Sequence, residues 1–171
     1  MKRIAVQILL LLLTVAAFAQ EAVHYKIGNE TVKAVLYKLK NASGKLPAIV
    51  VIHEWWGLTP WIKEQAQKFS SQGYVTLAID LYRGKSTTDP EVAHELMRGV
   101  PQDRALRDLK AGADYLRSRP DVDAGRVGSI GWCMGGGYSL ALAENDPKLK
   151  ATFINYGAVS TEAGTLRPIR A

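Results

Sequence analysis

Short apolar runs and longer amphipathic stretches alternate along most of the chain. Residues 22–27 and 31–38, with Val32, Val35 and Leu36 among them, predict two opening strands around a turn at Gly28-Asn29. Asn41 to Gly44 is a loop. Pro47 to Ile52 is a continuous apolar run, which suits a strand covered on both faces. Thr59-Pro60 predicts a helix start, with Thr as cap and Pro at the first helical position. Ile62, Ala66 and Phe69 follow at helical spacing, and Gly73 ends the helix. Tyr74 to Ile79 is the next buried strand. Thr88 with Glu91 three residues on is a capping-box pattern, opening a helix that Gly99 closes. Leu106, Leu109, Ala113 and Leu116 mark a longer amphipathic helix that stops before Pro120. Arg126 to Trp132 reads as a strand, Met134 to about Glu144 as a helix, and Ala151 to Tyr156 as a last strand. This alternation predicts one α/β domain, a mostly parallel sheet with helices on both faces. Sites in such sheets sit at the carboxyl ends of the strands.

The first 19 residues break the pattern. Lys2 and Arg3 precede an apolar run from Ile8 to Phe18, interrupted only by Thr14. Ala17-Phe18-Ala19 presents small residues at cleavage spacing before polar Gln20-Glu21. The pattern predicts a cleavable signal peptide over residues 1–19, a mature domain over 20–171, and a periplasmic or secreted location. A membrane anchor competes, but a spanning helix needs about 20 apolar residues. Ile4 to Ala19 offers 16, with Gln7 among them. No stable membrane insertion is therefore expected after cleavage.

Removal of Lys2 and Arg3 takes the formal charge from +6 to +4. No Lys/Arg cluster is visible, so nucleic acid is not an expected partner. A single cysteine, Cys133, can form no internal disulfide. It is buried filler, half of an intermolecular bridge, or a reactive thiol.

Its surroundings favour the last. Gly131-x-Cys133-x-Gly135 has the spacing of a nucleophile elbow with Cys in place of Ser. A chain that leaves a strand and enters a helix within two residues crowds the backbone on both sides of the nucleophile, and glycine relieves the crowding. The following helix N-terminus favours the thiolate. The amide of Met134 can point at an oxyanion. The glycines do not fit a dinucleotide fingerprint, because Cys133 stands at its third position, nor a P-loop, because Tyr138 follows Gly137. No metal or organic cofactor is called for.

At another strand end, Glu54 follows the apolar run. A carboxylate there would lie beside the elbow if the two strands are neighbours. The amide of Trp55 is placed to be a second oxyanion donor. Three runs, Val51 to Gly57, Ile79 to Gly84 and Val127 to Gly136, together resemble the dienelactone hydrolases (carboxymethylenebutenolidases). The resemblance spans roughly residues 30–160. It implies an α/β-hydrolase fold and a Cys-His-Asp triad with Cys133 as nucleophile. It also implies a resting thiol bonded to Glu54, and a small carboxylate-bearing lactone or ester as substrate. Arg83 and Lys85, after the fourth strand, are where an anionic substrate would find positive charge.

One departure stands out. Triad order in this fold is nucleophile, acid, histidine. Only 38 residues follow Cys133; they hold one Asp, Asp146, in a turn context, and no His. The chain is thus expected to lack the last strands and helices of the fold, and to be nearly inactive alone. Of the histidines, His24 and His94 are expected to be solvated. His53, at the correct end of the sheet, is a candidate rewired base. Two other functions compete with a hydrolase. One is a non-catalytic protein binding a small carboxylate near Cys133 with Arg83. The other is a redox thiol protein, for which no resolving Cys exists.

Overall fold

The computed structural model describes residues 18–171. The predicted leader lies outside them, except that Phe18 and Ala19 begin the first strand. β1 (Phe18–Ile27) and β2 (Glu30–Leu39) form an antiparallel hairpin whose turn holds Gly28 at φ 57°. On β2, Val32, Ala34 and Leu36 are buried and Thr31 and Lys33 exposed, the period of a strand with one wet face. β3 (Leu46–Ile52), β4 (Val75–Asp80), β5 (Val122–Trp132) and β6 (Thr152–Asn155) follow. The sheet order is β1-β2-β4-β3-β5-β6, parallel from β4 through β6 and antiparallel on the β1-β2 side.

Parallel strands need crossovers, and helices supply them. Successive residues of β3 point to opposite faces. Val51 joins Ile62 and Ala66 of α1 (Pro60–Ser71) on one face, with Ala78 and Trp132. Val50 and Ile52 join Leu109, Ala113 and Leu116 of α3 (Gln102–Ser118) and Leu142 of α4 (Met134–Asn145) on the other. The strand is apolar throughout because it has helices on both sides.

α1 starts as its sequence predicts: the Thr59 hydroxyl accepts from the Ile62 amide at 3.5 Å, and Pro60 opens the helix. α2 (Pro90–Arg98) does not. Asp89, not Thr88, is its cap, accepting from the amides of Glu91 at 2.9 Å and Val92 at 3.5 Å. Pro90 decides this, since proline belongs at the first helical position and holds the residue before it extended. β5 begins four residues before Arg126. Its early part is tied down by Asp121, which bonds Lys38 at 2.7 Å and Arg119 at 2.8 Å. Polar Asp123 and Gly125 disguise that part as a loop. A further short helix, α5 (Ala163–Leu166), has no apolar pattern to announce it.

Among the described residues β6 pairs only with β5. Beside it lies an apolar groove of about 530 Å³ lined by Ile49, Phe69, Ile130, Trp132 and Phe153. This is the edge where the resemblance places further strands.

Candidate active site

Because β3 to β6 run the same way, residues just past their ends come together. Glu54, Tyr82, Cys133 and Tyr156 each lie one or two residues beyond a strand, at one end of the sheet.

Cys133 occupies the only position between β5 and α4. Its φ of 53° and ψ of −117° are an arrangement that costs a side-chain-bearing residue of order 1–3 kcal/mol. The flanking glycines are required by contact. A Cβ on Gly131 would lie 1.9 Å from the Gly135 carbonyl oxygen. A Cβ on Gly135 would lie 2.5 Å from the carbonyl oxygens of Ile52 and His53 on the adjacent strand end. β6 holds the elbow from the other side. The Cys133 amide donates to the Asn155 carbonyl at 2.9 Å, and the Asn155 side chain donates to the Gly131 carbonyl at 3.1 Å. The thiol is free and half-buried at the N-terminus of α4.

The two expected oxyanion donors are both free. Neither the Met134 nor the Trp55 amide has an acceptor among the described residues. Trp55 sits in a turn closed by the Gly57 amide donating to the Glu54 carbonyl at 3.2 Å. Gly57 stands at φ 90°, where a Cβ would lie 2.5 Å from the Lys85 carbonyl oxygen.

Glu54 reaches this end of the sheet, but not with the partner the resemblance implies. Its Oε1 accepts from the Tyr156 hydroxyl at 2.6 Å, and no hydrogen bond joins it to Cys133 among the described residues. A phenol donating to a carboxylate makes a short, charge-assisted bond, whereas a thiol is a weak donor. Tyr156 stands at φ 39° after β6. Burial, the Glu54 bond and its charge, and the nearby Cys133 push its hydroxyl up to about 12. Tyr82, unassigned by the sequence although it sits in one of the matched runs, donates to the Trp55 carbonyl at 3.0 Å and lies 3.3 Å from Met134 Sδ. Burial first, then Tyr138 and Cys133, raise its pKa, so it remains a neutral donor.

Arg83 is committed elsewhere. It pairs with the fully buried Asp108 of α3 at 2.7 Å and with Glu30 at 3.1 Å. An anionic substrate would have to compete with two carboxylates already in place. Asp146 ends α4 rather than facing Cys133. It pairs with Arg117 at 2.6 Å and accepts from the Lys148 amide at 3.1 Å. Twelve helical residues separate it from the elbow, about 18 Å of rise.

The histidines divide three ways. His24 lies on β1, at the opposite edge of the sheet. His94 is half-buried rather than solvated, its ring edge-on to Trp55 with centroids 4.7 Å apart. His53 is fully buried with both ring nitrogens bonded to backbone, Nε2 to the Leu81 amide at 3.2 Å and Nδ1 to the Glu54 carbonyl at 2.5 Å. Burial also lowers its pKa. It has no free nitrogen for Cys133, so the rewired pair is ruled out. A hollow of about 970 Å³ between α2, α3 and α4 reaches Met134 and Tyr138 but not Cys133. Among the described residues no three His, Cys, Asp or Glu converge as for a metal.

A parallel sheet with helices on both faces, and a strained residue between glycines at a strand–helix junction, define an α/β-hydrolase with a nucleophile elbow. The model of the dienelactone hydrolase family matches residues 32–169, and the chain belongs to that family. Protein usf of Aquifex pyrophilus is 37% identical over 109 residues, 60% of this chain and 47% of its own length. A Bradyrhizobium protein described as a probable 2-oxo-3-(5-oxofuran-2-ylidene)propanoate lactonase is 32% identical over 126 residues, 72% of this chain and 50% of its own. A dienelactone hydrolase-like promiscuous phosphotriesterase from metagenomic libraries superposes with TM-score 0.80 at 28% identity, covering 90% of this chain and 66% of that one. The chain spans about half the length of the curated relatives it matches.

Proposed function

We propose that the protein is an exported hydrolase of carboxylic esters or lactones that uses Cys133 as its nucleophile. The observation that carries this is the strained Cys133 at the head of α4, with the unpaired Trp55 and Met134 amides beside it. The thiolate attacks the carbonyl carbon and a C–S bond forms. The carbonyl π pair moves to oxygen, where the two amides receive it. Collapse expels the alcohol and leaves an acyl-thioester for water to cleave. Both proton transfers call for a base, and no His bonds Cys133 among the described residues. Sustained turnover is therefore assigned to a triad His and Asp outside them, and these 171 residues alone are expected to deacylate slowly. Carboxylate binding without catalysis lacks a supporting observation, because Arg83 is already paired.

Iodoacetamide separates enzyme from binder. Stoichiometric carboxamidomethylation of Cys133 is expected to abolish hydrolysis of p-nitrophenyl acetate. A native thiol inert from mildly acidic to mildly basic pH would sink the assignment.

Export rests on the charged start, apolar run and small-residue exit of residues 1–19. Cleavage after Ala19 would leave β1 to begin at Gln20. Among the described residues no helix is long and apolar enough to cross a membrane. Intact mass of the exported protein is expected to start at Gln20; retention of Met1–Ala19 in a membrane fraction would refute this.

A further inference from the structure

We infer that His53 is a positioning residue that aims the Trp55 amide at the oxyanion, working through the carbonyl of Glu54. The inference rests on the proposed nucleophilic role of Cys133, because an oxyanion site has meaning only beside a nucleophile.

The Leu81 amide can only donate, so Nε2 of His53 must present a lone pair to it. A neutral imidazole with Nε2 unprotonated carries its hydrogen on Nδ1. Nδ1–H therefore donates to the Glu54 carbonyl oxygen. A charged ring would set Nε2–H against the Leu81 N–H, and its burial opposes charge as well. Tautomer and charge state are thus determined by Leu81, the first residue past β4.

The bond to Glu54 then has a consequence one atom further on. The Glu54 carbonyl and the Trp55 amide belong to the same peptide plane. No peptide among the described residues is cis. In a trans plane C=O and N–H point in opposite directions. Drawing the carbonyl inward to a fully buried ring turns the Trp55 N–H outward, where it has no acceptor among the described residues. The Gly57 amide holds the same carbonyl at 3.2 Å, so His53 shares the task with the turn. The next plane is anchored separately, by the Tyr82 hydroxyl on the Trp55 carbonyl at 3.0 Å. The rings of His53 and Tyr82 are themselves packed, edge to face, with centroids 4.8 Å apart. Trp55 is clamped on both sides by two neutral, buried donors, so its amide is oriented before substrate arrives.

The test must read the oxyanion separately from the thiol. An aryl trifluoromethyl ketone does so: the Cys133 thiolate adds to its carbonyl carbon, the π pair moves to oxygen, and a hemithioketal oxyanion forms reversibly. Iodoacetamide alkylates the same sulfur with loss of iodide and makes no oxyanion. Both are measured on the full gene product, the ketone by ¹⁹F NMR and the alkylation rate by mass spectrometry. Loss of a whole oxyanion donor costs roughly 100- to 1,000-fold, and here the donor is misaimed rather than removed. His53→Leu is expected to weaken the ketone by about tenfold or more while the alkylation rate stays within about twofold. His53→Gln, whose amide offers both an N–H donor group and a carbonyl acceptor, is expected to restore binding. Tyr82→Phe is expected to weaken the ketone independently.

A His53→Leu protein that binds the ketone like wild type overturns the inference, as does an equal loss in alkylation. Wild type that leaves the ketone unbound overturns the nucleophile assignment and this inference with it. If His53→Leu fails to fold, ¹⁵N NMR of the wild-type histidines decides: an Nε2–H tautomer or a charged ring at His53 overturns it.

Discussion

Replacing Cys133 with alanine is expected to lower kcat/KM for p-nitrophenyl acetate at least about 1,000-fold, in whichever length of the gene product turns the ester over. The change removes the proposed nucleophile, and the chain holds no second cysteine to substitute for it. Stability should respond in the opposite sense from an ordinary core deletion. Cys133 is held at φ 53°, a region that a Cβ makes costly. Cys133→Ala keeps that cost, and Cys133→Gly removes it. The glycine variant is therefore expected to melt no lower than wild type, although glycine elsewhere costs about 0.5–1 kcal/mol through the unfolded chain. Activity lost with stability kept is the signature of strain stored for function. Retention of more than about a tenth of wild-type kcat/KM in Cys133→Ala would remove the thiol from the mechanism.

Gly131→Ala is expected to be the most damaging single-methyl change in the chain. Its Cβ would sit 1.9 Å from the Gly135 carbonyl oxygen and 2.8 Å from the Gly136 amide nitrogen, both backbone and both part of the elbow. Neither can swing aside as a flexible side chain would. The helix start must shift, breaking the Asn155 bonds to both Cys133 and Gly131. A destabilisation of about 3 kcal/mol or more is expected, which for a domain of this size is a fall in Tm of about 10 °C. Gly164→Ala is the control, since nothing beyond its own turn of chain lies within 4 Å of its added Cβ. Thermal melts of the two variants beside wild type check this, and equal melting temperatures would show that the elbow tolerates the methyl group.

The elbow was legible because its geometry is local: strand, nucleophile and helix follow within five residues, and the crowding that demands glycine arises among those same residues. The alternating elements were legible for a similar reason, since burial on two faces shows as apolar runs and burial on one helix face as a 3.6-residue period. Where local signals conflicted, reading by pattern failed. Thr88 and Glu91 make a capping box, but Pro90 moves the cap to Asp89. Polar Asp123 and Gly125 hid four residues of β5.

By itself, then, the sequence determined the class of fold, the elbow, and the residues that could reach its end of the sheet. The tertiary structure decided which of them are joined. Glu54 bonds Tyr156 rather than the thiol because β6 ends beside β5. Arg83 serves Asp108 because α3 packs there, and His53 is closed as a base because the first residue past β4 donates to it. Each depends on strand order β4-β3-β5-β6, which brings together residues up to 102 apart in sequence. No periodicity or spacing along a chain encodes such neighbours, because contacts between strands are settled by how the whole sheet is covered.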